Sequence, residues 1–150
     1  MKQVNMQPIN LAYIQLVGPY GQGIPQAIDR INQWANNTGI SNADRVHIFH
    51  DDPEVTPPDE CRSDIGVVVP SDMQVTNDIK YQQIPGGRYI VEQIKFTDVP
   101  QIIETWDRLI EALPTLGLCM DNRPCFEVYT KSLDGEHAVS VYISIKEESK

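Results

Sequence analysis

One carboxylate stands in an apolar run near the carboxyl end of the chain, and it is the side chain best placed to do chemistry. Glu127 lies in the segment 124–129, PCFEVY, whose other residues are typical of a strand. An acid in such a strand faces water, pairs with a cation of the protein, or recognises a cation from outside. The strand by itself leaves these alternatives open, with a solvated acid on an open sheet as the ordinary one.

Aromatic residues elsewhere are the usual companions of a carboxylate that binds cations. Ring faces attract a lipophilic cation, and one acid neutralises its charge. We expect aromatic residues from several elements to form a ligand-binding site with Glu127: Tyr20, Phe49, Tyr89, Trp106 and Tyr142. Trp34, by contrast, is expected in the core.

The alternation of the last two strands suggests how Glu127 and Tyr142 meet. Period-two spacing puts Cys125, Glu127 and Tyr129 on one face of their strand. Asp-Gly at 134–135 favours a tight hairpin turn to the final strand, 138–145. We therefore expect Glu127 and Tyr142 on the same face.

Other kinds of site find little support in the sequence. The three cysteines have no C-x-x-C spacing and are typical of free thiols in a reducing compartment. His50 beside two aspartates is better explained by a proline-rich turn than by a metal, and Arg62 is expected to pair with Asp64 across that loop. We expect no metal, no cofactor and no catalytic residue. General acid or base catalysis by Glu127 beside a tyrosine stays open as an alternative.

Composition narrows the function classes. The 150 residues are 41% hydrophobic and carry a formal net charge of −9. An acidic surface repels phosphate backbones, so direct nucleic-acid binding is not expected, and it attracts cationic small molecules. No apolar stretch approaches the roughly 20 residues that span a bilayer, and the amino terminus lacks an apolar signal segment. A cytoplasmic protein without membrane contact is predicted.

The chain divides into two similar halves, about 1–75 and 76–150, of one domain. Period-two and helical spacings predict strand, helix, strand, strand in each half, with helices beginning near Ile24 and Val99. Short matches recur in the same order, among them 29–31, DRI, with 107–109, DRL. Neither half would bury enough surface alone, so we expect a duplicated α+β fold whose halves share a core, with a cleft at their seam.

Several segments, in this order, resemble the GyrI-like small-molecule-binding family. They are 18–20 GPY, 49–58 FHDDPEVTPP, 62–70 RSDIGVVVP, 84–89 IPGGRY and 126–129 FEVY. The resemblance covers about 9–145, and the DDP and TPP runs are its distinctive part. The second half departs from the pattern at 95–98, KFTD, where the family often repeats GPY.

The resemblance implies a tandem β-α-β-β (SHS2-like) repeat with a pseudo-twofold, an antiparallel sheet with two long helices on one face, and a central cleft. The family includes effector-binding domains of AraC-type and MerR-type multidrug-sensing activators and stand-alone forms like the DNA gyrase inhibitory protein. Its ligand carboxylate in cationic-drug sensors falls on Glu127. Some relatives hydrolyse electrophilic compounds with an acid near Tyr or Trp residues.

These observations predict a stand-alone module that binds lipophilic cationic compounds. Two alternatives stay open. One is a modulator of a protein partner, either gyrase or a transcription regulator, and the other is a small-molecule hydrolase that uses Glu127.

Overall fold

The computed structural model describes residues 1–40, 43–75, 78–96, 98–131 and 137–147. In these ranges the chain forms the following elements: β1 Lys2–Met6, β2 Ile9–Val17, α1 Ile24–Asn37, β3 Arg45–Phe49, a short 3₁₀ turn Pro58–Glu60, β4 Arg62–Val68, β5 Lys80–Ile84, β6 Gly87–Lys95, α2 Val99–Thr115, β7 Cys125–Lys131 and β8 His137–Ser144. They group into two compact units. The first unit is Ile9–Ile84, and the second is Met1–Pro8 together with Pro85–Lys150.

The first unit is a four-stranded antiparallel sheet with α1 on one face. Its strands pair in the order β3-β4-β2-β5. The alternation of β2 and β4 turns their apolar residues toward α1, whose buried stripe completes a core. The buried members of this core are Ala12, Ile31, Trp34, Ala35, Val67, Val69 and Ile79. Trp34 is therefore a core residue, as the helical spacing predicts.

Helix α1 begins and ends where backbone chemistry permits. Gly23 precedes it with φ of 78°, a left-handed conformation that glycine adopts without a Cβ clash, and Pro25 occupies the first turn. After Asn37 the hydroxyl of Thr38 donates to the carbonyl of Trp34, 2.9 Å away, and so satisfies a carbonyl of the last turn.

The second unit repeats this plan with β1-β6-β8-β7 and α2. Helix α2 starts in a capping box, because Asp98 accepts from the backbone of Gln101 and Gln101 accepts from the backbone of Asp98. The buried core under the helix consists of Ile90, Leu109, Leu113, Val141, Ile143 and Ile145.

Element by element, the two units correspond. In each, the strand before the helix lies beside the last strand of the β-α-β-β set, which in turn pairs with the strand that follows the helix. Each sheet also carries one additional strand, β5 in the first unit and β1 in the second, which the sequence did not predict. The α+β class and the antiparallel pairing predicted from the sequence are confirmed.

Some sequence-based expectations stay predictions. The turn at 134–135 lies outside the described residues. The single domain with halves divided near residue 75, the pseudo-twofold and the central cleft also stay predictions. Among the described residues, no helix combines the length and the apolar character needed to cross a bilayer.

Candidate functional site

The carboxylate of Glu127 is buried and held by two aromatic donors. Its side chain is 5% exposed, which rules out the solvated acid on an open sheet. The indole Nε1 of Trp106 donates to Oε2 at 2.6 Å, and the hydroxyl of Tyr129 donates to Oε1 at 2.6 Å. Both oxygens of the carboxylate are thus fixed in place by the second unit.

Strand alternation and register explain how these groups meet. Glu127 and Tyr129 are two residues apart on β7, so their side chains share a face. Glu127 pairs with Val141 of β8, which belongs to the core under α2. The carboxylate therefore lies on the face that α2 covers, where Trp106 of α2 reaches it.

The energetics favour a fixed carboxylate orientation. Taking a carboxylate out of water is costly unless hydrogen bonds replace the lost solvation. Bonds that donate to a charged acceptor contribute about 1.5–3 kcal/mol each, more than neutral pairs do. The indole N–H and phenol O–H are uncharged donors, so these two bonds orient Glu127 without forming an ion pair with it.

A second acid occupies the same row of the sheet. Glu92 of β6 pairs with Val141 from the other side, so Glu92 and Glu127 flank one β8 residue. Arg108 of α2 binds Glu92, with Nη2 3.1 Å and Nε 3.2 Å from Oε2. Helix α2 therefore straddles β8: it sends Trp106 toward the acid on β7 and Arg108 toward the acid on β6.

The structure does not place Tyr142 beside Glu127. The register pairs Tyr142 with Phe126, and the two rings stack with centroids 4.9 Å apart and an interplanar angle of 15°. Opposed residues share a face and neighbouring residues do not, so Tyr142 lies on the face away from α2. The expectation that Glu127 and Tyr142 lie on the same face is therefore wrong, because the observed pairing of β7 with β8 differs by one residue from the expected register.

Tyr89 belongs to the cluster around Tyr142. It is 0% exposed, and its ring meets Phe126 edge-on at 5.4 Å and Tyr142 at 6.3 Å. Burial raises the pKa of Tyr89, an effect that the nearby guanidinium of Arg123 opposes. Tyr89 is thus a buried residue that contacts the half-buried Tyr142. A ligand-binding role for either residue stays a prediction.

Tyr20 and Phe49 meet in the first unit. Their rings are edge-to-face with centroids 5.1 Å apart. The hydroxyl of Tyr20 donates to the carbonyl of Asp51 at 2.7 Å and accepts from the Asp51 backbone N–H at 2.9 Å. This fixes the ring against the loop after β3, and a ligand-binding role for the pair stays a prediction.

The loop after β3 is tied together differently from the expected Arg62–Asp64 pair. Arg62 binds Asp51, with Nε 3.1 Å from Oδ2. Nε2 of His50 instead lies 2.6 Å from Oδ2 of the buried Asp64, which also accepts from Gln82 at 2.9 Å. Burial would raise the pKa of Asp64, but these hydrogen bonds outweigh it and lower the pKa.

The comparisons with known proteins agree with this architecture. The model of the GyrI-like small molecule binding domain matches residues 1–146. The chain belongs to this family. The resemblance seen in the motifs is therefore confirmed at the level of the family.

Two relatives of this GyrI-like chain match along nearly their whole length. The SPbeta prophage-derived protein YosT of Bacillus subtilis is 30% identical over 140 residues, which are 92% of this chain and 93% of YosT. A DNA gyrase inhibitor of Yersinia enterocolitica is 28% identical over 154 residues, 98% of each chain.

Solved structures show the same fold at low identity. The C-terminal domain of EcmrR is 12% identical with a TM-score of 0.77, over 98% of this chain and 97% of that one. SAV2435 bound to tetraphenylphosphonium is 11% identical with a TM-score of 0.60, over 97% of this chain and 93% of that one.

One residue that contacts Glu127 was not predicted as a site residue: Tyr129, whose period-two spacing after Glu127 was the available signal. Outside this site, His47 of the first unit is a buried polar residue: it is 4% exposed, and Nε of Arg45 donates to its Nε2 at 3.0 Å. Burial first, and the charge of Arg45 second, lower the pKa of His47 from 6.5 to about 3. The imidazole is therefore neutral at pH 7, with its proton on Nδ1.

Proposed function

We propose that this chain binds lipophilic cationic small molecules and that Glu127 recognises their positive charge. Membership of a small-molecule-binding family supports binding in general. The observation that carries the proposal is a buried carboxylate oriented by Trp106 and Tyr129.

The chemistry of these three groups suits a cation with apolar substituents. A carboxylate in a partly desolvated site attracts a unit charge by several kcal/mol before desolvation of the ligand is counted. Trp is the best aromatic partner for a cation, and Tyr also contributes. Because the donors hold the carboxylate in place, its reorientation costs little when a ligand arrives. A structural neighbour bound to tetraphenylphosphonium offers a probe of this class.

The test compares tetraphenylphosphonium with triphenylphosphine oxide, a neutral compound with similar aryl groups. We expect a Kd of micromolar order for the cation, and a higher unfolding temperature because the ligand binds the folded state alone. Glu127→Gln is expected to weaken tetraphenylphosphonium about 10- to 100-fold and triphenylphosphine oxide by less than about 3-fold.

Glu92→Gln is the matched control for this substitution. It removes the same charge from the same sheet row, where Arg108 binds it. We expect less than about a 3-fold change in cation affinity, because the Glu92 charge is already paired with Arg108 and lies two strands away from Glu127. Equal losses in both variants, or equal losses for cation and neutral compound in Glu127→Gln, would show that Glu127 is not the recognition element.

A second candidate is modulation of a protein partner. The observation in its favour is the 28% identity to a DNA gyrase inhibitor over 98% of both chains. A supercoiling assay with purified gyrase and excess protein tests it. Inhibition that persists in Glu127→Gln would assign the effect to another surface; its absence at excess protein counts against this candidate.

A third candidate, hydrolysis, uses the same carboxylate. Tyr129 and Glu127 share a hydrogen bond of 2.6 Å in a buried setting, where the carboxylate would take a proton from the water that attacks a bound electrophile and return that proton to the leaving group. Turnover that is lost in Glu127→Gln while binding of the compound persists would support this role.

We also propose a cytoplasmic location, in keeping with three cysteines that form no disulfide.

A further inference from the structure

A buried aspartate of the first unit holds a histidine by its ring. Asp64 of β4 is 1% exposed, and three side chains bind its carboxylate. Nε2 of His50 lies 2.6 Å from Oδ2, and Nε2 of Gln82 donates to the same oxygen at 2.9 Å. Nε2 of Gln15 donates to Oδ1 at 3.1 Å. Both carboxylate oxygens are occupied, so the carboxylate and the three side chains fix one another in place.

This polar group lies on the face of the first sheet that α1 does not cover. Val67 of β4 packs in the core under α1, so Asp64, three residues earlier, points the other way. Gln15 pairs with Asp64, and opposed residues share a face. The pairing of β3 with β4 continues one residue past β3, since the backbone N–H of His50 donates to the carbonyl of Arg62 at 3.1 Å. The group therefore differs from the candidate site of the second unit both in unit and in face of the sheet.

A glycine in β4 lets the strands close in around the aspartate. At Gly66 an added Cβ would lie 2.8 Å from Cγ of Leu11 and 2.9 Å from Cβ of Tyr13, so a residue with a side chain would force β2 away. Strand β2 stands between β4 and β5, and Gln82 of β5 nevertheless reaches Asp64 across it. The polar group is therefore assembled by the curvature of the sheet, from residues far apart in the chain.

The imidazole of His50 keeps one nitrogen for a ligand. Burial opposes ionisation of Asp64, but the bonds from His50 and Gln82 outweigh it and lower its pKa, so the carboxylate accepts hydrogen bonds and donates none. We therefore assign the ring hydrogen to Nε2, and in the neutral ring Nδ1 carries a lone pair. No described residue bonds to Nδ1, and the side chain is 21% exposed. Because no buried polar side-chain atom of the described residues lacks a partner, Nδ1 is open to solvent.

A guanidinium lies at the same end of the sheet as this nitrogen. Arg62 is the residue opposite His50 on β4, and its side chain is 52% exposed. Asp51 accepts from its Nε and its Nη2, at 3.1 Å each, whereas Nη1 has no partner among the described residues. Arginine N–H groups stabilise an oxygen that gains negative charge during a reaction. An oriented nucleophile and a donor for an oxyanion are thus neighbours on this face.

We propose that His50 is the nucleophile of a second site, which cleaves neutral aryl esters. Nδ1 bonds to the carbonyl carbon while Nη1 of Arg62 donates to the carbonyl oxygen, and the bond to the leaving oxygen then breaks to release a phenolate. The hydrogen on Nε2 stays on its bond to Asp64, which stabilises the positive ring. Water attacks the acyl carbon next, the carbon–nitrogen bond breaks, and the carboxylate leaves. The two protons of that water pass to the phenolate and to solvent, and the ring returns to its neutral form.

The experiment follows release of p-nitrophenolate from p-nitrophenyl acetate at slightly alkaline pH. The second-order rate constant of the wild-type chain should exceed that of free imidazole at least about 10-fold, because the ring is already oriented and its positive form is paired. His50→Gln should lower the rate constant at least about 10-fold. Asp64→Asn should lower it as much, since an amide N–H would bind Nε2 and leave the ring hydrogen on Nδ1. His47→Gln is the matched control: it removes a 4% exposed imidazole from the other face of the same sheet and should change the rate constant less than about 2-fold.

A chemical readout separates a nucleophile from a histidine that only ties the loop in place. After quenching in acid, mass spectrometry should find the acetyl group on the peptide that contains His50, and this adduct should be absent from Asp64→Asn. Circular dichroism checks the fold of each variant. Should Asp64→Asn not fold, His50→Gln decides the question by itself, because its side chain is partly exposed.

Four outcomes would overturn the inference. The first is a wild-type rate constant no larger than that of free imidazole. The second is an unchanged rate constant in His50→Gln, and the third is an equal loss in His47→Gln. The fourth is turnover that persists in His50→Gln and is lost in Glu127→Gln, which would assign hydrolysis to the carboxylate of the second unit.

Discussion

Acid sensitivity of the first unit can be calculated from His47. Its folded-state pKa is about 3, whereas the unfolded chain has the ordinary value of 6.5. Between pH 6.5 and about pH 3, His47 is protonated in the unfolded state but not in the folded state. The free energy of unfolding therefore falls as the pH drops. The contribution of His47 is fully present above pH 6.5 and is lost progressively down to about pH 3.

The size of the loss follows from the proton linkage. A shift from 6.5 to about 3 corresponds to about 5 kcal/mol at full protonation. Relative to neutral pH, the loss is about 1.4 kcal/mol at pH 5.5 and about 2.7 kcal/mol at pH 4.5. This is a large fraction of the 5–15 kcal/mol that stabilises an ordinary domain.

The test substitution is His47→Gln. Glutamine keeps an oxygen that can accept a hydrogen bond from Arg45, and its side chain does not titrate. Urea unfolding of both proteins at pH 7.5, 6.5, 5.5 and 4.5 and constant ionic strength gives the free energy of unfolding. Loss of ring packing lowers the stability of the variant at every pH. The difference between the two proteins should nevertheless shrink by about 2.7 kcal/mol from neutral pH to pH 4.5.

Other titrating groups do not disturb this comparison. Asp64 has a lowered pKa, so its contribution is present above about 3.8 and is lost only below the range of the experiment. Asp44, whose pKa burial raises, titrates in both proteins and cancels in the difference. Parallel pH curves for wild type and His47→Gln would refute the reasoning that His47 is held neutral by burial.

Two further predictions concern contacts in the second unit. Tyr129→Phe removes one donor from the Glu127 carboxylate and should lower the free energy of unfolding by about 1.5–3 kcal/mol in urea titrations; no measurable change would mean that water replaces the hydroxyl freely. Gly87→Ala should destabilise by more than about 2 kcal/mol, because its φ is 133° and an added Cβ would displace the Arg123 guanidinium from the carbonyls of Gly86, Arg88 and Ile145. A matched Gly117→Ala, also at positive φ but with open space around it, should cost less, and equal costs in thermal unfolding would contradict the steric part of this account.

Elements with a strong apolar period were predictable, and weakly patterned strands were not. Helix α2 carries its buried residues at spacings of three and four, and strand β2, INLAYIQLV, is rich in apolar residues, both of which local sequence reveals. Strands β1, KQVNM, and β5, KYQQI, are largely polar and pair on one side, so little in them distinguishes a strand from a loop.

The sequence was sufficient to predict Glu127 as the acid of the candidate site, but not to predict which residues surround it. Glu127 stood out because its neighbours are apolar. Its relation to Tyr142 depended on hairpin register: a two-residue turn at 134–135 would pair them, whereas the observed register pairs Tyr142 with Phe126. A slip of one residue moves a side chain to the other face, and local sequence does not fix such a slip.

The duplicated plan places His47 and Glu127 at corresponding positions. Each is the third residue of the strand after the helix, each pairs with a residue of the next strand, Ile65 or Val141, and each is buried on the helix-covered face. The first unit fills this position with an imidazole that burial keeps neutral, and the second fills it with a carboxylate fixed by two aromatic donors. Because a buried polar group at this position is costly in either unit, its presence in both is a feature of the repeat. The two units thus place different chemistry at one position, an imidazole in the first and a carboxylate in the second. On the function proposed above, substitutions at Glu127 should alter cation binding, whereas His47→Gln should alter the pH range of folding.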